Sequence, residues 1–414
     1  MITELTRPQF LRWRLAIFTI FTLSGLSITT WASRVPAIKT ALEIDNSGLG
    51  MLLFSAGAAS IAGVASAPAV MARLGARHGM LLAMFSFAAG VALIGVGTDL
   101  LHSYPVVLIG LALFGVGNGT VDVIMNVEAA AIEKHGGKTI LPLFHAFFSV
   151  GGVIGAGLGA LAERGQISVL VHAAVIAVMI VTLAILSVAN VPAQVAALDP
   201  APGPQLSRRQ RLHGALGAWR EPRTYALGVI ALGMAFAEGG ANDWLALGVV
   251  DGHNGTAALG ATGLTIFAVA MTATRALGGP LVDRFGRVNT LRVMSAFAAT
   301  GILLFIVAPS LPLALLGAAL WGVGAALGFP LGISAAADDP ERAPGRVSAV
   351  STIGYIAFLC GPPLLGVISD AIGLLNTLYI LVALVIASGL ASSAARPLPT
   401  ATAPGSNSGS GSVQ

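Results

Sequence analysis

Three polar residues recur at helical spacing inside an apolar stretch of the chain. In LFGVGNGTVDVIMNVEAA, residues 113–130, Asn118, Asp122 and Asn126 stand four residues apart. On a helix they fall within about 80° of the circumference. A carboxylate in apolar sequence is costly and normally faces a water-filled cavity or a partner inside a helix bundle. The stripe predicts a binding or proton site centred on Asp122, or else a structural ion pair or helix contact.

A second acid stands in AFAEGGANDWLAL, residues 235–247. Glu238 and Asn242 are one turn apart on one helix face. At Glu238 we expect either a proton or cation site, or a salt bridge for which Arg34 is the candidate partner. Asp243 and Trp244 are expected near the outer interface, where tryptophan is common.

Two basic residues in apolar sequence extend the set of candidates. His145 titrates near neutral pH, so it is either a proton relay to Asp122 or a hydrogen-bonded packing histidine. Arg275 precedes Asp283 by two helical turns. It snorkels toward the interface, binds an anionic group, or forms a structural lock with the charged turn at Asp283, which is the interpretation we favour.

Composition requires a membrane environment for these residues. The 414 residues are 56% hydrophobic and 10% charged, with a mean hydropathy of +0.86, whereas a soluble domain has about 25% charged residues. The 52 glycines are scattered through apolar segments, as suits close helix packing in lipid. A single cysteine, Cys360, excludes a disulfide framework and a cysteine metal cluster, and we expect no cofactor. The net charge of +4 is dispersed, which argues against nucleic-acid binding.

The apolar segments predict twelve membrane-spanning helices, since roughly 20 apolar residues cross a bilayer. They are 15–33, 48–70, 79–98, 104–128, 141–162, 167–189, 224–248, 257–280, 289–308, 311–335, 345–369 and 373–394, numbered here as spans 1 to 12. Such long continuous spans exclude a β-barrel. The fold class is therefore an all-α membrane protein of twelve transmembrane helices in two pseudo-symmetric six-helix halves.

The predicted boundaries follow from loop composition. Residues 1–189 form the N-terminal half, 190–223 a Pro-rich and then basic linker, 224–395 the C-terminal half, and 396–414 a low-complexity, disordered tail. Most of the 22 basic residues fall on one side of the membrane, and only Arg34, Lys39 and Arg164 fall on the other. The positive-inside rule therefore predicts a multi-pass protein with both termini and the linker in the cytoplasm.

The two halves repeat each other. ALFGVG at 112–117 returns as ALWGVG at 319–324, and ARLGARHG from position 72 is echoed by DRFGRVNT from position 283. On this alignment Asp122 corresponds to Phe329. The repeated scaffold therefore does not itself require an acid at that position, which favours a cavity or coupling function for Asp122.

These residues resemble the major facilitator superfamily of secondary transporters. The motif G-x-x-x-D-R-x-G-R of that family is intact at Gly279, Asp283, Arg284, Gly286 and Arg287. The earlier copy is degenerate, with Pro68 and Ala72 in place of its glycine and aspartate. The resemblance implies a gating role for the intact motif and an asymmetric charge lock; a tight basic turn is the alternative. WASRVPAIK and LFHAFFSVGGVIGAGLGAL are similar to a bacterial inner-membrane branch of sugar–proton symporters that includes fucose permease.

The resemblance also implies that spans 1, 4, 7 and 10 line a central cavity. The candidate substrate and proton residues are accordingly Asn118, Asp122, Asn126, Glu238, Asn242, His145, Ser27, Trp31, Trp321 and Tyr355, with Arg275 beside the gating motif. Trp31 and Trp321 would stack on a sugar ring or an apolar substrate, or else serve only in packing.

The expected function is secondary active transport of a small solute, such as a sugar or related polar metabolite, across the bacterial inner membrane. Alternating access and proton coupling are expected, with the substrate, a proton and the bilayer as partners of a monomer. Efflux of apolar compounds and a non-transporting sensor or scaffold are the alternatives. An enzyme is not expected, because no cluster of histidines and carboxylates is apparent.

Overall fold

The chain is represented by a computed structural model that describes residues 6–136, 140–192, 217–339 and 342–397. Most of the predicted linker and all but the start of the predicted tail lie outside the described residues. Within the described ranges the secondary structure is helical and contains no strand.

Eleven helices are long and apolar enough to cross a membrane, and one of them accounts for two crossings. The continuous segment Asn46–Leu100 has 55 residues and is interrupted at Gly75, whose φ is 71° and ψ 171°. It therefore holds spans 2 and 3, which brings the described part of the chain to the twelve crossings that the sequence predicts.

The N-terminal six spans have these bounds. Span 1 is Arg7–Ala32, spans 2 and 3 together are Asn46–Gly95 with a π-helical turn at Val96–Leu100, span 4 is Tyr104–Gly136, span 5 is Leu141–Arg164 and span 6 is Val169–Val188. A short helix, Val35–Leu42, joins spans 1 and 2.

The C-terminal six spans are less regular. Span 7 is Pro222–Gly240, followed by π-helical turns at Ala241–Leu245 and Gly248–Gly252. Span 8 is Ala257–Ala276, span 9 is Gly278–Val307, and span 10 consists of Leu311–Ala325 and Gly328–Ala336. Span 11 is Ala343–Ile372, and span 12 consists of Leu374–Thr377 and Tyr379–Ala391 with a 3-10 turn at Ser392–Ala395. Span 9 begins eleven residues before the predicted position 289, because the charged turn lies inside the helical segment.

The repeated glycines explain why the two halves fold alike. A Cβ on Gly115 would lie 2.2 Å from the Ala56 carbonyl oxygen of span 2, and one on Gly322 would lie 2.3 Å from the Phe267 carbonyl oxygen of span 8. The following glycines, Gly117 and Gly324, approach spans 3 and 9 just as closely. In both halves the two glycines of GVG therefore contact two different neighbouring helices, at distances that only glycine permits.

The two halves meet mainly along spans 2 and 11 and along spans 5 and 8. We call the side where span 1 begins and span 12 ends the terminal face, and the opposite side the far face. At the far face Lys39 Nζ lies 2.6 Å from Asp251 Oδ2. Asp370 of span 11 accepts hydrogen bonds from the backbone amides of Asn46 (3.0 Å) and Ser47 (2.8 Å) at the start of span 2, and from the Ser47 hydroxyl.

Candidate functional site

Asp122 lies at the boundary between the two halves. Its side chain is exposed, and the Asn126 amide nitrogen donates to its backbone carbonyl at 2.8 Å and to its Oδ1 at 3.3 Å. No cation pairs with it among the residues that the structure describes. Its carboxylate is close enough to act electrostatically on the Tyr355 hydroxyl of span 11. The stripe on span 4 therefore presents an unpaired acid to the opposite half.

Tyr355 joins this site to the internal repeat. Its side chain is 57% exposed, and its ring centroid lies 6.4 Å from that of Phe329. Phe329 occupies the position in the C-terminal half that Asp122 occupies in the N-terminal half. The two equivalent positions thus converge on one phenol, one as an acid and the other as an aromatic ring.

The second acid, Glu238, has a partner. Its Oε2 lies 2.7 Å from an Arg275 terminal nitrogen, and the two side chains are 20% and 26% exposed. Arg275 Nε donates to the carbonyl oxygen of Ala326 at 3.0 Å. Ala326 lies in the break of span 10, where the helix ends at Ala325 and resumes at Gly328. Arg275 therefore connects spans 7, 8 and 10 at the point where a backbone carbonyl lacks its helical partner.

This pairing replaces two contacts expected from sequence. Arg275 binds Glu238 rather than Asp283, and Arg34 binds Glu163, with Nε 3.1 Å from Oε1, rather than Glu238. Arg34 also donates to the Ile167 carbonyl oxygen at 2.8 Å, so it ties the far-face ends of spans 1, 5 and 6 together. Burial lowers the pKa of Arg34, while the charges of Glu163 and Asp99 raise it.

His145 of span 5 lies within electrostatic reach of Arg275 of span 8. Its exposed ring packs edge-on against Phe21 at 5.3 Å, and the positive charge of Arg275 acts on it across the interface of spans 5 and 8. No hydrogen bond to Asp122 occurs in the described parts of the chain. The predicted relay between His145 and Asp122 is therefore not formed in this arrangement.

Three predicted cavity residues are instead packed between helices. Trp321 is fully buried, donates from Nε1 to the Ala237 carbonyl oxygen at 2.9 Å, and stacks edge-on with Phe267 and Phe305. Trp31 is 8% exposed and meets Phe114 at 6.0 Å inside the N-terminal half. Ser27 is fully buried and donates to the Leu23 carbonyl oxygen at 2.7 Å. Packing explains all three side chains in this structure.

Asn118, Asn242 and Asp243 lie on the two helices that carry Asp122 and Glu238. Asn118 and Asn242 are half-buried, one on span 4 and one at the start of the first π turn of span 7. Asp243 follows Asn242 and forms no hydrogen bond or ion pair with any described residue. It was expected near the outer interface, but it stands two turns below Asp251, the residue of the same helix that reaches Lys39. A π turn at an unpaired acid is the kind of feature that occurs at functional sites.

One charged residue of the motif at 279–287 is engaged in an ion pair, and another is not. Arg287 Nη1 lies 2.9 Å from Asp338 Oδ1 at the end of span 10, and Arg223 of span 7 binds the other oxygen of Asp338 at 2.9 Å. Asp283 is exposed and has no partner in the described ranges, and Arg284 lies 5.5 Å over the ring of Phe285. A Cβ on Gly279 would meet nothing within 4 Å, so no neighbouring helix requires a glycine at this position in this arrangement.

Gly286 and Gly75 share a backbone conformation. Gly286 has φ 74° and ψ 159°, almost the values of Gly75. Only glycine adopts this region without strain. After each turn an arginine caps the neighbouring helix end of its own half: Arg77 donates to the Ala189 carbonyl oxygen at 3.1 Å, and Arg287 to that of Ala395 at 3.5 Å.

Comparison with known proteins gives this architecture a family. The family model described as Major Facilitator Superfamily matches residues 253–412. An uncharacterized transporter of Sinorhizobium fredii, y4wD, is 32% identical over 364 residues, which is 87% of this chain and 91% of that protein. The chain belongs to the major facilitator superfamily. It is thus a multi-pass membrane protein of a transporter family.

Solved structures agree with the fold of the superfamily. A crystal structure of a point mutant of the nucleoside transporter NupG has a TM-score of 0.76 at 14% identity, covering 94% of this chain and 100% of that one. A variant of the E. coli fucose:proton symporter FucP has a TM-score of 0.60 at 19% identity, covering 92% of this chain and 97% of that one. At these identities the likeness concerns the fold alone.

Proposed function

We propose that this major facilitator protein is a proton-coupled secondary transporter of a small polar solute and that it works by alternating access. The observation that carries the proposal is the placement of ionisable groups along the interface of the two halves. Asp122 is unpaired there, and Glu238 is held by an arginine that also grips the break of span 10. Ionisable residues inside a membrane-spanning bundle mark ion or substrate pathways.

The polar contacts between the halves fit one state of such a cycle. The contacts of Asp251 and Asp370 with the N-terminal half lie at the far face, and Thr272 Oγ1 meets the Ser149 carbonyl oxygen at 3.4 Å nearer the middle. Toward the terminal face, no hydrogen bond or ion pair joins the halves within the described ranges. The proposed state is closed at the far face and open at the terminal face, which agrees with the free Asp283.

In this proposal, proton binding is coupled to the conformation through the Glu238–Arg275 ion pair. A proton on Glu238 removes the charge that holds Arg275, and Arg275 then loses part of its grip on the Ala326 carbonyl at the break of span 10. Asp122 offers a second site where a proton or a substrate hydroxyl binds without displacing a cation. The carboxylates, amides and phenol favour a polar solute. Nucleosides and fucose, named for the structural neighbours, belong to that class.

Transport measured in proteoliposomes tests the proposal. With an imposed pH gradient and a panel of sugars and nucleosides, the wild-type chain is expected to accumulate a substrate and move protons with it. Asp122→Asn and Glu238→Gln are expected to reduce proton-driven accumulation at least tenfold, whereas Glu43→Gln, an exposed far-face acid, serves as the matched control. Full proton-driven accumulation by both Asp122→Asn and Glu238→Gln would show that neither acid couples proton movement to transport.

We also propose that the protein lies in the inner membrane with the terminal face in the cytoplasm, as the distribution of basic residues favours. In a Cys360→Ser background, a cysteine at Leu101 on the far face is expected to react with an impermeant thiol reagent in spheroplasts. A cysteine at Lys134 on the terminal face is expected to react only after lysis. The reverse labelling pattern would invert the topology.

A further inference from the structure

A groove runs along the outside of the C-terminal half between spans 9 and 12. It encloses about 430 Å³ and is lined by Arg292, Ser295, Ala296, Ala299, Ile386, Gly389 and Leu390. Spans 9 and 12 pack closely beside the groove, since a Cβ on Gly389 would lie only 3.0 Å from the Ser295 Cβ. Leu390 is 79% exposed at its edge. The groove therefore opens to the surroundings of the bundle.

The terminal-face end of the groove carries a cation that is only partly used. Arg292 is exposed, and its Nε donates to the Ser392 hydroxyl at 3.1 Å in the last turn of span 12. Its two terminal nitrogens bind no atom of the described chain. Such a planar pair of donors matches two oxygens of one phosphate.

A buried hydroxyl in the wall also lacks a partner. Ser295 is 4% exposed, and its Oγ has no hydrogen-bond partner within the structure's described ranges. Leaving a buried hydroxyl without a hydrogen bond is energetically unfavourable. The groove thus combines apolar walls, an unsatisfied hydroxyl and a free guanidinium edge, and none of the described residues that line it is acidic.

We propose that this groove is a binding site for one anionic phospholipid. The headgroup phosphate binds the free edge of Arg292, and an acyl chain lies along Ala296, Ala299, Ile386 and Leu390. Arg292 bonds to a residue at the end of span 12, so its guanidinium stands at headgroup level, where arginine attracts anionic lipids. A free phosphate would leave the apolar walls uncovered. The inference requires only that the chain spans a membrane, and it is independent of the transport proposal.

Bound lipid is expected to hold spans 9 and 12 together. Thermal unfolding of the purified full-length protein in detergent tests this with added phosphatidylglycerol, phosphatidylcholine or inorganic phosphate. Phosphatidylglycerol is expected to raise the Tm by several degrees, and the other two are not. Native mass spectrometry is expected to show one retained phosphatidylglycerol.

Three variants decide the result. Arg292→Gln removes the phosphate contact, and Ala296→Trp fills the groove while leaving Arg292 in place; each is expected to weaken the lipid response at least tenfold in lipid concentration. Arg12→Gln, an exposed cation on the same face of the other half, is expected to keep it. An unchanged response in Arg292→Gln and Ala296→Trp overturns the site, as does a Tm rise with inorganic phosphate alone or an equal rise with phosphatidylcholine. Crosslinking of two chains through residue 386 would show a protein partner instead.

Discussion

The two interfacial acids differ at the level of single residues. Within the described parts of the chain, Asp122 accepts only a neighbouring amide, whereas Glu238 is neutralised by Arg275 at 2.7 Å. An acid without a cation is available to a proton or a substrate. An acid with a cation holds that cation until something replaces it. We therefore propose separate roles for the two acids, Asp122 in binding and Glu238 in restraining Arg275.

Glu238→Gln is expected to destabilise the fold by about 1–3 kcal/mol, because it leaves the guanidinium of Arg275 without its counter-charge in a mostly buried place. Thermal unfolding in detergent measures this as a lower Tm. Glu238→Gln combined with Arg275→Met is expected to cost less than the sum of the single changes. Strict additivity of the three variants would show that the ion pair contributes nothing to stability.

The limits of sequence reasoning are clearest at this scale. Periodicity placed Asp122 and Asn126 on one helix face, because that depends on one helix alone. It missed the Glu238–Arg275 pair, since 37 residues and a packed helix separate the partners. It left open whether Trp31 and Trp321 line the cavity or serve in packing, because the side on which a tryptophan packs depends on where neighbouring helices lie. Their indoles are buried within their own halves.

Among the elements, the two glycine turns between spans 2 and 3 and beside span 9 are the most regular feature. The echo of ARLGARHG in DRFGRVNT predicted equivalent turns, and both contain a glycine with φ near 70°. The twelve crossings were predictable because apolar length decides them. The break of span 10 was missed, although Pro330 lacks the amide that would bond to the Ala326 carbonyl four residues earlier. That Arg275 from another span bonds to this carbonyl instead could not be predicted from span 10 alone.

Gly286→Ala is expected to destabilise the protein by about 1–2 kcal/mol, because a Cβ in the left-handed region strains the backbone. Gly279→Ala is the matched control. Gly279 lies in regular helix with open space around its Cβ position, so alanine is expected to be neutral or to stabilise slightly. Thermal unfolding of the two variants side by side measures the difference. Equal Tm values would show that backbone strain does not explain the glycine in the turn that the two halves share.

For the whole molecule, we propose that the far-face contacts between the halves determine which conformation is populated. Asp370 of one half caps the first turn of span 2 in the other half, while Asp45 caps the same turn from within its own half, with Oδ1 2.7 Å from the Gly48 nitrogen. The two carboxylates perform the same local chemistry at one helix end. Only the contact of Asp370 must break when the halves separate at the far face.

Asp370→Asn is therefore expected to shift the equilibrium toward a far-face-open state by about tenfold, the equivalent of about 1.4 kcal/mol. Asp45→Asn is expected to cost about 1 kcal/mol of stability without that shift. Spin labels at Leu101 and Asn376, on the far-face ends of the two halves, report the change as a longer distance population. An equal effect of both variants would mean that Asp370 serves only as a helix cap.

The two π turns of span 7 take up extra residues without turning the far end of the helix. A π-helical hydrogen bond encloses one residue more than an α-helical bond. Each of the turns Ala241–Leu245 and Gly248–Gly252 therefore holds one residue beyond regular winding. Deleting one residue from the second π turn would let regular α-helical winding resume while the helix on either side keeps its orientation. Glu238, before both π turns, would stay beside Arg275. Span 7 thus has two positions at which its length can change by one residue while its two ends stay aligned.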